Sequence, residues 1–180
     1  MSKWNRLFKP VLVLVLVCTA VSGSLAVAHS VTGPIIEEAA RREQEAARLE
    51  LLPEAKGFKR MLGYGVEQVS DICVAENGAG VVVTAKAKGY GGDMTVMVAF
   101  SADGTIKRIK VAEQSETKGI GSKVAANSAY WAQYEGLPAR ELVLNEDVDA
   151  VTGATKSSRA LLEAVNAAVK GYRAVQSIGD

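Results

Sequence analysis

The chain has 180 residues, 23% of them charged, with a formal net charge of +1. That length suggests one domain with appendages, and so balanced a charge supplies no global field to draw it to nucleic acid. Aromatic residues make up only 6%, too few for a single-strand stacking platform; one histidine, His29, excludes a histidine triad or metal cage; and Cys18 and Cys73 are too far apart for a disulfide framework or metal-ligand cluster.

Lys3, Arg6 and Lys9 precede a run from Val11 to Val31 that holds no Asp, Glu, Lys or Arg. About 20 apolar residues suffice for a helix to span a bilayer. Positive charge before the run, with Glu37 and Glu38 after it, predicts a single-pass inner-membrane anchor with a cytoplasmic N-terminus and an extracytoplasmic domain. Ala26-Val27-Ala28 offers the competing reading of a cleavable signal peptide. Glu37 to Glu50, rich in Ala, Glu, Arg and Leu with opposite charges at helical spacing, predicts a stalk helix that is solvated or packed on the domain. Pro53 and Gly57 end it. The expected organisation is therefore an anchor over 1–32, a linker over 33–58 and a domain over 59–180.

Within that domain, 66–73 and 80–87 read as a hairpin around Asn77-Gly78, and 94–100 and 106–111 as a second around Asp103-Gly104. The alternation along 94–100 predicts a half-buried strand. A short helix over 127–135 carries Tyr130, Trp131 and Tyr134, as core residues or as aromatic contacts, and 141–144 reads as one more strand. Over 157–175, Leu161, Leu162, Val165, Ala168, Val169 and Tyr172 form one apolar stripe and predict the clearest helix. The predicted fold class is α+β: an antiparallel sheet of hairpins packed with helices, preceded by a single N-terminal transmembrane helix.

Three stretches could carry chemistry. Gly89-Tyr90-Gly91-Gly92 joins the hairpins, either because the loop needs positive φ or because bare backbone admits a flat ring. It is no P-loop, since no Gly-Lys-(Ser/Thr) follows. Glu116-Thr117-Lys118-Gly119-Ile120-Gly121 follows a strand as a polar, glycine-containing connection. Asp149-Ala150-Val151-Thr152-Gly153-Ala154-Thr155 then runs into the last helix. Thr and Asp there could be ordinary helix caps, but a hydroxyl at a helix start also lies where unpaired N–H groups and a partial positive charge favour an anion.

The pattern Asp-x-x-(Ser/Thr)-Gly-Ala-Thr resembles the attachment motif of the FMN-binding domain family, and the 116–121 stretch resembles that family's Glu-Thr-Pro-Gly-Leu-Gly with Lys118 for Pro and Ile120 for Leu. The resemblance covers about residues 60–175 and extends to the anchor. It implies a covalent flavin, FMN joined through its phosphate to Thr155, with Thr152, Gly153 and Ala154 cradling the phosphate. It implies that Glu116, Thr117, Ile120, Gly121 and Gly91 face or shape the flavin site, Glu116 as a brace rather than an acid or base. Asp149 would be read by a separate flavin transferase that uses FAD as donor. No catalytic residue or metal ligand is implied. Within the family, the single anchor resembles the G subunits of Rnf-type ion-translocating complexes, relatives of the C subunit of the sodium-translocating NADH:quinone reductase. That implies an electron relay in a ferredoxin:NAD-type oxidoreductase moving Na+ or H+, with other membrane subunits of that complex as partners. A free-standing tethered FMN domain and a cofactor-free assembly or adhesion module remain alternatives.

Overall fold

The computed structural model describes residues 3–62, 65–119 and 121–179. Helix α1, Lys3–Leu51, is continuous through Pro10 and Pro34, and it contains the one stretch among the described residues long and apolar enough to cross a membrane. The chain divides into two compact units, Met1–Glu45 and Ala46–Asp180. The second unit begins within the last two turns of α1.

In that second unit, five strands form an antiparallel meander: β1 Phe58–Met61, β2 Val69–Ala75, β3 Gly80–Lys88, β4 Asp93–Ser101 and β5 Ile106–Gln114, in the order β1-β2-β3-β4-β5. The two hairpins stand where their turn residues place them, and Gly78 and Gly104 supply the positive φ those turns need (71° and 84°). Strand β1 was not legible in the sequence. The expected strand over 141–144 does not form: Leu144 makes only an isolated bridge to Val148, three residues beyond the left-handed Asn145. Short helices α2 Ser122–Ala125 and α3 Ser128–Trp131 follow β5, and α3 runs into a 3-10 turn over Ala132–Tyr134. Helix α4, Thr155–Gly179, closes the domain.

Strand β4 departs from the half-buried pattern, because every residue from Met94 to Phe100 is buried. The reason is two covers. On one face, Ile72, Val83, Val96, Val98 and Phe100 pack under α4, whose stripe of Leu161, Leu162, Val165, Ala168, Val169 and Tyr172 is buried as expected. Tyr172 stacks on Phe100 with centroids 4.6 Å apart. Gly171 lets helix and sheet meet closely: a Cβ there would lie 3.1 Å from Val83 and 3.3 Å from Ile72. On the other face, Val82, Met97 and Ala99 pack against Leu51, Leu52 and Ala55 at the end of α1. Cations of β5 meet that helix end. Arg108 donates to the Glu50 carbonyl at 2.9 Å, Lys110 pairs with Glu50 and Lys107 with Glu54, as a C-terminal helix dipole favours.

Beneath the same cover, Asp71 accepts from Arg48 at 2.8 Å and from Arg60 at 2.5 Å, so its charge is paired twice. Cys73 donates to Asp71 at 3.3 Å, and burial, with the aspartate beside it, pushes the thiol up to about 12. Since the thiolate is the nucleophile, Cys73 is inert near neutral pH.

Two outcomes are expected. Leu161→Ala should cost about 2–5 kcal/mol in chemical denaturation, whereas the exposed Glu163→Ala should change stability by less than about 0.5 kcal/mol. In a Cys18→Ser background, a maleimide should add to Cys73 only after denaturant unfolds the domain, as read by intact mass.

Candidate functional site

Antiparallel pairing brings the end of β3, the start of β4 and the end of β5 to one end of the sheet. The 89–92 and 115–121 loops therefore meet there, and a carboxylate holds them together. Glu116, only 9% exposed, accepts from the Tyr90 and Gly91 N–H groups at 3.0 Å each. Its own N–H donates to Gln114 Oε1 at 2.8 Å. The carboxylate occupies space that glycines vacate, since a Cβ on Gly89 would lie 1.8 Å from Oε1 and one on Gly121 2.0 Å from Oε2. A Cβ on Gly91 would lie 2.6 Å from the Thr117 nitrogen, and one on Gly92 2.7 Å from the Ser115 Cβ.

Gly89, Gly91 and Gly92 thus differ from the first expectation: none has positive φ, and close approach of a second loop is what demands them. Lys118, in place of the family's Pro, stands beside the left-handed Gly119 (φ 81°), whose N–H donates to Ser122 Oγ at 2.9 Å. The loop is shaped by that glycine and serine without a proline. Thr117 is exposed. Ile120 lies outside the described residues.

The third stretch approaches through Lys156, whose ammonium lies 5.8 Å from the Tyr90 ring centroid. Here α4 begins in an unusual way. Ser158 N–H bonds to the Ala154 carbonyl at 2.9 Å, which makes Ala154 the N-cap and Thr155 the first helical residue. Alanine has no oxygen to cap the first-turn N–H groups, a choice that costs about 1 kcal/mol against Ser, Thr or Asp. Thr155 is exposed, and Ser157 is fully buried with no partner for its hydroxyl among the described residues. A helix N-terminus of this kind presents bare donors and a partial positive charge.

The approach to that helix is held almost atom by atom. Ala154 N–H closes a turn on the Val151 carbonyl at 2.9 Å, with Gly153 at φ 79° in its third position. Thr152 and Gly153 are exposed at its tip, while Ala154 is buried. Val151 N–H donates to Ser158 Oγ at 3.0 Å, and Ala150 N–H to Asn145 Oδ1 at 3.3 Å. Asp149 N–H donates to Gln133 Oε1 at 2.7 Å, and its carbonyl accepts from the Tyr130 hydroxyl at 2.8 Å. The Asp149 residue is itself exposed.

The aromatic segment behaves as core and clamp. Tyr134 is wholly buried, with its ring edge-on to Tyr130 at 6.5 Å, and Trp131 Nε1 donates to the Val124 carbonyl at 2.8 Å, tying α3 to α2. Gln133 and Asn145 were not singled out from the sequence, whereas Ser158 stands where the resemblance implies one of a hydroxyl pair; nothing local marks a glutamine sixteen residues before its partner.

Glu116→Gln should leave one amide oxygen for two N–H donors. Hydrogen exchange of Tyr90 and Gly91 should then quicken by about tenfold or more, while exchange in α4 stays unchanged.

A family model described as the FMN-binding domain matches residues 89–170. That span includes all three stretches. Over 94% of its length the chain is 27% identical to the G subunit of the Na(+)-translocating ferredoxin:NAD(+) oxidoreductase complex of Acetobacterium woodii, covering 93% of that protein. It is 26% identical to the G subunit of the proton-translocating ferredoxin:NAD(+) oxidoreductase complex of Clostridium ljungdahlii, over 92% of this chain and 91% of the relative. The crystal structure of Shewanella oneidensis NqrC is similar with a TM-score of 0.50 and 27% identity, and the likeness spans 62% of each chain. The two glycine-shaped loops gathered at the uncapped start of α4 thus lie within the span, residues 89–170, that is similar to the FMN-binding domain family.

Proposed function

We propose that this chain is the membrane-anchored flavoprotein subunit of an Rnf-type ion-translocating oxidoreductase, carrying FMN through a phosphoester to Thr155. The observation that carries the reading is the start of α4. An exposed threonine hydroxyl stands at the first position of a 25-residue helix whose N-cap, Ala154, supplies no capping oxygen. A phosphate on Thr155 Oγ would lie where the free N–H groups and the helix dipole stabilise negative charge, by roughly 0.3–1 kcal/mol at an exposed site. The buried Ser157 hydroxyl, without a partner among the described residues, is a further donor in the same turn. Ordinary helix starts place a serine or aspartate at the cap; here the cap is empty and the hydroxyl sits one residue later.

The rest of the site suits a flat cofactor tethered there. Thr117 and the N–H groups of its loop are candidate donors, Gly121 and Gly91 shape the approach, and Glu116 braces the two loops. Thr152 and Gly153 form the exposed turn beside the phosphate. When bound, FMN supplies the one- and two-electron chemistry; the chain holds and orients it. Attachment by the phosphate raises the effective concentration of the flavin at the site without modifying its ring.

The chain needs no base of its own for attachment. In the transferase reaction, Thr155 Oγ loses its proton and forms the new P–O bond as the pyrophosphate linkage of FAD breaks and AMP leaves. Asp149, exposed six residues ahead, is the side chain the transferase reads. The apolar part of α1 anchors the chain in the cell membrane, with the domain on the extracytoplasmic side, where a dissociated flavin could not readily be replaced. The relatives named as G subunits of ion-translocating complexes support a relay role between neighbouring redox subunits, with Na+ or H+ as the ion moved.

Co-expression of the full chain with a flavin transferase, followed by denaturing electrophoresis, tests this directly. Wild type should give a fluorescent band and an FMN-sized mass increase. Thr155→Ala should give neither, and Thr155→Ser should retain some label. A dark wild-type band would overturn the covalent reading.

A further inference from the structure

Asp149 is the one residue of the attachment stretch whose backbone donor and acceptor are both held by side chains of a single distant segment. Gln133 Oε1 takes its N–H at 2.7 Å and the Tyr130 hydroxyl donates to its carbonyl at 2.8 Å. Gln133 Nε2 in turn donates to the Tyr130 carbonyl at 3.0 Å, so the two clamping side chains are tied to each other. Asn127 accepts from the Tyr130 N–H at 3.2 Å and caps α3. Trp131 Nε1 fixes the same helix to the Val124 carbonyl, and Tyr134 seats it in the core. The clamp is thus mounted on a rigid base, while the Asp149 residue it grips faces solvent.

On the far side of the stretch, Val151 and Ala154 are held by Ser158 and by the turn onto the Val151 carbonyl. The spacing between the Asp149 backbone and Thr155 is therefore set from both ends before any enzyme arrives.

We propose that Tyr130 and Gln133 are positioning residues for flavin attachment: by gripping both backbone groups of Asp149, they present its carboxylate and Thr155 to the transferase in one preformed geometry. This inference rests on the attachment reading above. Neither residue touches the reacting atoms. Their contribution lies in sparing the transferase the cost of ordering a mobile peptide, which is how preorganisation strengthens binding. Because the clamp acts through presentation, its loss should appear in recognition of the acceptor protein and leave the transfer step, once bound, little changed.

The test measures initial rates of covalent flavin incorporation into purified full-length chain in detergent, with a flavin transferase and FAD, as a function of acceptor concentration. Tyr130→Phe keeps the ring against Tyr134 and deletes only the hydroxyl. Gln133→Leu removes both amide bonds. Gln133→Glu keeps an acceptor for the Asp149 N–H and serves as the conservative partner. The two disruptive variants combined should lower kcat/KM by about tenfold or more, mainly through KM, with an unchanged melting temperature. Gln133→Glu should recover part of the loss.

Labelling of the folded double variant at the wild-type kcat/KM would overturn the inference while leaving Thr155 attachment intact. A loss confined to kcat would also overturn it. Failure of wild type to label at all would instead defeat the attachment reading on which the inference rests. Should the double variant melt early, the single Tyr130→Phe variant decides the matter, with a KM increase of about threefold or more expected and an unchanged KM counting against the clamp.

Discussion

The packing of α4 across β2, β3 and β4 determines where everything else in the domain can be. Leu161, Val165 and Ala168 are fully buried against the central strands, and Gly171 draws the helix close to Val83 and Ile72. Burying such a stripe releases roughly 25 cal/mol for each Å² of apolar surface removed from water. The position of the helix axis is therefore far more strongly specified than any loop. Since the helix cannot slide, its first residue, Thr155, is held at the end of the sheet where the β3–β4 loop and the segment after β5 emerge. Rigid elements supply the precision, and loops supply the chemistry.

Around that fixed point, the chain gives up local stability in several places at once. Ala154 occupies a cap position that serine or aspartate would fill better, Ser157 buries a hydroxyl without a partner among the described residues, and four glycines lie where loops press together. Each choice is unfavourable for folding alone. Departures from local preference concentrated at one end of a domain are what a binding site looks like when the folding rules have been relaxed for it. Glu116 shows the compensating side: one buried carboxylate, bonded to two backbone N–H groups, turns two glycine-rich loops into a single unit.

The second cover of the sheet has a different character. Leu51, Leu52 and Ala55 are apolar, but the rim around them is ionic, with Arg48 on Asp71, Lys110 on Glu50 and Lys107 on Glu54. Exposed pairs of this kind contribute little individually. Arg48–Asp71 is the exception, since both side chains are largely buried and removing Asp71 would strand the Arg48 charge. The end of α1 therefore belongs to the folded domain as part of its hydrophobic cover.

What the sequence by itself determined was the periodic and the punctuated. The α4 stripe repeats at helical spacing, the hairpins are marked by Asn77-Gly78 and Asp103-Gly104, and the apolar run from Val11 shows by length alone; these signals are local and need no partner to be seen. The Asp149–Thr155 motif was legible in the same way, and so was the bracing character expected of Glu116. Tertiary structure alone decided the rest. Burial of β4 on both faces followed from residues near position 51 folding back onto the sheet. The reason for Gly89, Gly91 and Gly92 lay in a loop some 25 residues onward rather than in their own dihedral angles. Leu144 paired with Val148 instead of extending a strand, because the left-handed Asn145 turns the chain. The grip of Tyr130 and Gln133 on Asp149 spans 19 and 16 residues. Side-chain-to-backbone bonds over such distances leave no periodic trace: one hydroxyl and one amide are ordinary surface choices until the fold brings a particular carbonyl and N–H within reach.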